Sequence, residues 1–194
     1  MAESGRGRPR SERSRLAVLS ATADLLIEGG LAAATVEAIA ARAGVGKATI
    51  YKWWPSRGHV ALESFFTRHA ATATIVDRHE SLADGLTAQL DALLDLMRNP
   101  PDAALLREIV ALAQTDDELR AAFTEHWLRP RRTAVERVLR AAVERGEVRP
   151  DTDIAVTMDQ LFGPLYYRLL MGHAPLDESL TAALLKQTLR AITR

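Results

Sequence analysis

The stretch from Thr35 to Arg57 reads T-V-E-A-I-A-A-R-A-G-V-G-K-A-T-I-Y-K-W-W-P-S-R, and it decides the fold. Thr35 is placed to cap a helix that carries Val36, Ile39, Ala40 and Ala43 on its inner face, with Glu37 in the first turn where the helix dipole favours an acid. The helix stops at Gly44. Gly44-Val45-Gly46 is too short for a real loop and offers a glycine where a sharp turn needs positive φ, while Val45 plugs the angle between two helices. A third, short helix is expected from Lys47 to about Trp54, broken by Pro55. Support helix, glycine turn and short exposed helix are the layout of a helix-turn-helix, with Ala40, Val45 and Ile50 as internal packing positions. The competing, blander account is a helical hairpin with a solvated charged face.

Outside Ile50 and Trp54 the short helix is too polar to be core. Its face offers Lys47, Thr49, Tyr51, Lys52 and Trp53, cations, hydroxyls and amphipathic aromatics that suit phosphates and base edges in a major groove. The helix starts at Thr35 and Lys47 also present backbone N–H donors to phosphate. Trp53 and Trp54 are adjacent, so on a helix they point about 100° apart and cannot both be buried. Trp53 is assigned to the exposed face.

Working outward, Met1 to about Arg10 is Gly, Arg, Ser and Pro with little to bury, a mobile basic arm. Its Arg6, Arg8 and Arg10 either have no role or reach a minor groove or phosphate. Leu16, Leu19, Ala23, Leu26 and Ile27 recur at helical spacing and mark one face of a first helix that Gly29-Gly30 ends. Past Pro55, Ser56 is placed to cap a fourth helix carrying Val60, Leu62, Phe65 and Phe66 toward roughly Thr74. The remainder reads as helices near 81–98, 102–114, 116–146, 152–171 and 177–193, with Pro130 expected to kink or divide the longest. The fold class is therefore all-α, about nine helices: a tri-helical head, then a C-terminal helical bundle. The expected division is an arm at 1–10, the head at 11–57 and the bundle at 58–194.

Composition narrows the function. The chain has 194 residues, 47% hydrophobic, and no cysteine, which removes disulfides and thiolate metal sites and fits a cytoplasmic protein. The apolar runs are short and interrupted by charge, so no membrane is expected. Net charge is zero, yet bases exceed acids by four in residues 1–70 and acids exceed bases by four beyond, the footprint of one module that meets phosphate. Five histidines, His59, His69, His79, His126 and His173, lack metal-ligand spacing, and no glycine-rich phosphate loop follows a strand. Neither an enzyme nor a resident metal or cofactor is expected.

Residues 13 to about 60 resemble the DNA-binding domain of the TetR family of regulators. The resemblance lies in the capping Thr35, a small Ala in the support helix, A-G-V in the turn, T-I-Y in the recognition helix, and an aromatic followed by a Ser-basic pair. It implies that Thr35 and Tyr51 meet phosphate and that Trp53 occupies a frequent His or Tyr contact position. Arg57 stands where a Lys is usual. Lys47, Ala48, Thr49 and Lys52 would face the groove, with base reading from the two lysines and methyl contacts from Ala48 and Thr49. Trp54 would pack the head onto the fourth helix.

In the bundle the match is looser. L-F-G-P-L-Y-Y-R-L-L, Leu161 to Leu170, followed by A-P-L-D, is similar to a C-terminal type of that family. This implies a homodimer through the last two helices, with Leu161, Gly163, Leu165, Leu169, Leu180, Leu184 and Leu185 as interface candidates or, alternatively, as the monomer's own core. The resemblance further implies a pocket for a small hydrophobic or aromatic effector, for which Phe66, Leu93, Met97, Phe123, Trp127, Phe162 and Tyr166 are available or, alternatively, are plain core, with His126 and Arg129 either orienting a polar group or solvated or capping. The partners expected are thus double-stranded DNA, a small-molecule effector and a second copy of the chain. The function implied is repression relieved by the effector, as against a ligand-independent DNA binder, an architectural protein or an interaction adaptor.

Overall fold

The computed structural model describes residues 8–70 and 81–193, with side chains from residue 11 onward. Among these, ten α-helices run as α1 Arg8–Ala33, α2 Val36–Ala43, α3 Lys47–Tyr51, α4 Arg57–His69, α5 Leu82–Arg98, α6 Pro100–Ala113, α7 Asp117–Phe123, α8 Arg129–Glu144, α9 Ile154–Met171 and α10 Glu178–Ile192. A π-helical turn, Thr124–Leu128, lies between α7 and α8 in the chain. Pro130 falls in the first turn of α8, where its missing N–H is tolerated, and the expected division of the long helix takes this form. Strand pairing among the described residues is limited to one isolated bridge, Val148 with Thr193.

The chain separates into two compact units. The first holds α1 to α4 together with Glu108–Phe123, which is the second half of α6 plus α7. The second holds α5, the first half of α6 and everything from Thr124. The head unit therefore includes more than residues 11–57.

In the head, α1 starts at Arg8, so two arginines of the expected arm already lie in a helix, while Arg6 lies outside the described residues. Gly30 adopts φ 63°, a left-handed conformation that breaks the helical run and that a side chain would strain. The expected inner face of α1 needs correction, because Leu16 and Ile27 are exposed. The buried stripe is Val18, Thr22 and Leu25 with Leu19 and Leu26, rotated about the axis from the expected one. Thr22 takes a core position by donating its hydroxyl to the Val18 carbonyl at 2.7 Å, which a count of apolar residues does not register. Ser11–Ala33 is long and apolar enough to cross a membrane, yet Val18, Leu19, Ala21, Leu25 and Leu26 are buried where α1 packs on α2 and α4.

Helix α2 begins as expected, with Thr35 Oγ1 accepting from the Ala38 N–H at 3.1 Å, and ends at Gly44 with φ 64°. Ala40 and Ile50 are buried and Val45 half-buried between the two helices. Regular helix in α3 stops at Tyr51, three residues short of expectation. Lys52 and Trp53 continue as a tightened turn, Trp53 N–H reaching the Ile50 carbonyl at 2.9 Å, because Pro55 steers the residue before it away from the helical region. Ser56 caps α4 through its carbonyl, accepting from His59 and Val60 N–H. Its hydroxyl instead pairs with the His59 ring at 2.9 Å, correcting the expected side-chain cap. Helix α4 ends at His69, and the expected continuation to Thr74, like His79, lies outside the described residues.

Two contacts hold the rest of the head. The Leu31 N–H, freed by the break at Gly30, donates to Glu108 Oε2 at 3.1 Å. Gly58 brings α4 against α6 and α7: a Cβ there would lie 3.1 Å from Leu119 Cδ2 and 3.6 Å from Leu112 Cδ1.

In the second unit α5 packs on α8, α9 and α10. Asp153 and Asp177 accept from the Val156 and Leu180 N–H groups and cap α9 and α10. Arg107 Nε donates to the Leu169 carbonyl at 2.9 Å, satisfying an acceptor in the last turn of α9.

Candidate nucleic-acid interface

The head carries a small exposed surface built from the starts of two helices and the turn after the second. Lys47, Ala48, Tyr51, Lys52 and Trp53 are exposed, and Thr49 is half-buried. Trp53 is 40% exposed and Trp54 3%, so the adjacent indoles divide as their spacing requires. Trp54 Nε1 donates to Glu63 Oε2 at 2.6 Å, and the other oxygen of that carboxylate receives the Arg15 guanidinium from α1. One acid on α4 thereby ties the end of the recognition segment to the first helix. The shared role of Glu63 is not legible in the sequence, because its partners lie 9 and 48 residues away.

Thr35 is half-buried, and its cap occupies one lone pair of the hydroxyl while leaving the O–H free to turn outward. Arg57 is exposed, and its Nη1 lies 3.4 Å from the Leu31 carbonyl, a long contact that tethers it to the end of α1. The Lys47 ammonium pairs with the Glu37 carboxylate of α2. The hydrogen bond between them holds Glu37 below the usual carboxylate range and raises the Lys47 pKa. The sequence reading used Glu37 only as a partner of the helix dipole; its pairing with Lys47 emerges from the turn at Gly44.

Exposed cations, an indole and a phenol, with a half-buried hydroxyl among them, suit a polyanion. Among the described residues no group of His, Asp or Glu is arranged to hold a metal ion.

The residues expected to line an effector pocket fall in two places. Phe66 and Phe123 belong to the head unit, with ring centroids 6.5 Å apart. Leu93, Met97 and Trp127 are buried in the second unit, and Phe162 and Tyr166 are half-buried there. His126 is exposed, which removes it as an interior polar group: on the π turn it faces away from its neighbour Trp127. The polar groups beside Trp127 are others. Its Nε1 donates to Tyr166 Oη at 2.9 Å, and the Arg131 guanidinium stacks 3.5 Å from its ring centroid. Burial pushes the Arg131 pKa down to about 10 and the Tyr166 phenol up. Arg131 follows Trp127 by four residues, the helical spacing that a search for polar partners of the indole would have used.

The dimer candidates need a sharper correction. Leu161 and Leu165 are 0% exposed and Leu169 1%, so they fill the core of their own bundle and have nothing left to offer a partner. Leu180 is also buried, and Leu184 and Leu185 are half-buried. Gly163 is exposed with open space around its Cα hydrogen. The outward face of α9 is Val156, Gly163, Tyr167 and Leu170, spaced so that they share one side of the helix, with Met171 beside them.

Two family signatures match the chain, "Bacterial regulatory proteins, tetR family" over residues 18–63 and "Tetracyclin repressor-like, C-terminal domain" over residues 65–188. The uncharacterized HTH-type transcriptional regulator YdeS of Bacillus subtilis (strain 168) is 33% identical over 190 residues, covering 98% of this chain and 95% of the relative. The crystal structure of the TetR family transcription regulator SCO0332 superposes with a TM-score of 0.81 at 36% identity, covering 94% of this chain and 100% of that one. FadR from Bacillus subtilis, solved in complex with stearoyl-CoA, superposes with a TM-score of 0.69 over 90% of this chain and 97% of its own, and at 17% identity it shares the fold alone.

Proposed function

The chain belongs to the TetR family of DNA-binding transcriptional regulators, which are not enzymes, and we propose that it acts as a cytoplasmic homodimeric repressor released from a palindromic operator by a small, largely apolar effector. The observation that carries the DNA-binding part is the exposed surface of Lys47, Tyr51, Lys52 and Trp53, held out by a turn and anchored from behind by Trp54 and Glu63. Lys47 and Lys52 donate to base edges, Ala48 and Thr49 offer methyl contacts, and Thr35, Tyr51, Trp53 and Arg57 position the head on phosphate and sugar.

Dimerisation is supported by the outward stripe of α9. Val156, Tyr167, Leu170 and Met171 leave an apolar strip in water around Gly163, where a missing side chain lets a second helix approach. Two heads related by a twofold axis read half-sites roughly 34–36 Å apart along the duplex.

An effector site in the second unit is supported by the aromatic and apolar side chains gathered there, Leu93, Met97, Trp127, Phe162 and Tyr166. Side chains of this kind suit a bulky apolar ligand, and a protein of the same fold, FadR, has been solved with stearoyl-CoA. Release follows by linkage: a ligand that binds better to the form with poor DNA affinity lowers operator occupancy by that preference.

The test is selection of bound sequences from a random duplex pool by the full-length protein, followed by reporter assays with the selected site. An inverted repeat, lower reporter output in the presence of the protein, and recovery of output with one of a panel of acyl and aromatic compounds are expected. Selection without a consensus contradicts operator recognition, and repression unaffected by any compound favours a ligand-independent regulator.

A further inference from the structure

An acid, Glu37, lies on the same surface as the two exposed lysines. Glu37 stands in the first turn of α2 and Lys47 opens α3, so their ion pair bridges the starts of the two helices. Both side chains remain largely in water, 65% and 54% exposed, and an exposed pair of this kind contributes little to folding. A carboxylate beside a polyanion is also unfavourable for general affinity. Lys52, on the same surface, is exposed and has no ion pair among the described residues.

We propose that Glu37 is a specificity-determining residue of the DNA interface: it holds the Lys47 ammonium in register for base-edge acceptors and denies it to arbitrary phosphates. An ammonium has three donors, so Lys47 keeps its bond to Glu37 while donating to the O6 or N7 of a guanine. A phosphate must instead approach a lysine whose charge is already balanced, next to a second negative group. Binding without the right base therefore loses the help of Lys47, and binding with it does not. The inference rests on the assignment of the α2–α3 surface as the DNA contact.

Four full-length proteins are compared: wild type, Glu37→Gln, Lys47→Met and the double variant. Each is titrated with a duplex selected by the wild type and with a scrambled duplex of equal length and composition, over a range of KCl concentrations. In Glu37→Gln the scrambled duplex binds roughly two- to fivefold tighter, the range that exposed ion pairs command. Its salt dependence steepens by up to about one unit of slope, the selected duplex gains less, and the ratio of the two affinities falls. In the Lys47→Met background the Glu37 substitution leaves that ratio unchanged. Equal gains on both duplexes, or the same fall in ratio without Lys47, would mean simple relief of repulsion and overturn the proposal. If Lys47→Met binds both duplexes as the wild type does, the proposal falls together with the assignment of the surface.

Discussion

The indole nitrogen of Trp54 donates to one oxygen of Glu63 at 2.6 Å while the other oxygen receives Arg15, so a single carboxylate joins α1, α4 and the segment that follows α3. Trp54→Phe keeps most of the buried ring but removes the donor, leaving a half-buried carboxylate with one partner fewer. A loss of about 1–3 kcal/mol in urea unfolding is expected, the range for a hydrogen bond to a charged group. An unchanged unfolding midpoint would mean that the anchor is packing alone.

The outward stripe on α9, proposed as the dimer surface, is distinct from the buried leucines of the same helix. Tyr167 is 60% exposed, so Tyr167→Glu is expected to leave the far-UV spectrum intact while converting the dimer to monomer in sedimentation. Leu165→Ala, two residues away on the opposite side of α9 and fully buried, is expected instead to cost roughly 2–5 kcal/mol of stability. Sedimentation of Tyr167→Glu identical to that of a dimeric wild type would move the interface elsewhere.

Tyr166 gives the second unit a dependence on alkaline pH. Burial raises its pKa, so folding favours the protonated phenol. That stabilisation is complete below the unfolded value of about 10 and is lost as pH rises through the higher folded value. Tyr166→Phe also removes the acceptor of Trp127 Nε1. The variant is expected to be about 1 kcal/mol less stable at neutral pH and to lose less stability than the wild type above about pH 10. Parallel alkaline losses would show that the phenol does not contribute.

What was legible in the sequence follows from locality. Thr35, Gly44 and Pro55 act on their own neighbours, so the support helix, the turn and the end of the recognition segment are readable from residue type and spacing. The angle between adjacent helical residues required that Trp53 and Trp54 not both be buried, and the polar neighbours of Trp53 chose it as the exposed one. Long-range pairing was not legible: Glu108 accepts from the Leu31 N–H across 77 residues, and Arg107 donates to the Leu169 carbonyl across 62. Helical periodicity told that Leu161, Leu165 and Leu169 share a face but not whether that face meets its own bundle or a second copy, and the structure turns it inward. In α1 a self-satisfied Thr22 displaced the expected apolar stripe.

The most direct measurement is the Trp53→Ala variant, assayed for affinity to a duplex selected by the wild type and for thermal stability in the same buffer. With Trp53 40% exposed and Trp54 carrying the packing, the affinity is expected to fall at least about tenfold while the melting temperature moves by no more than about 2 °C. A large fall in melting temperature with unchanged affinity would contradict the assignment of this surface to DNA.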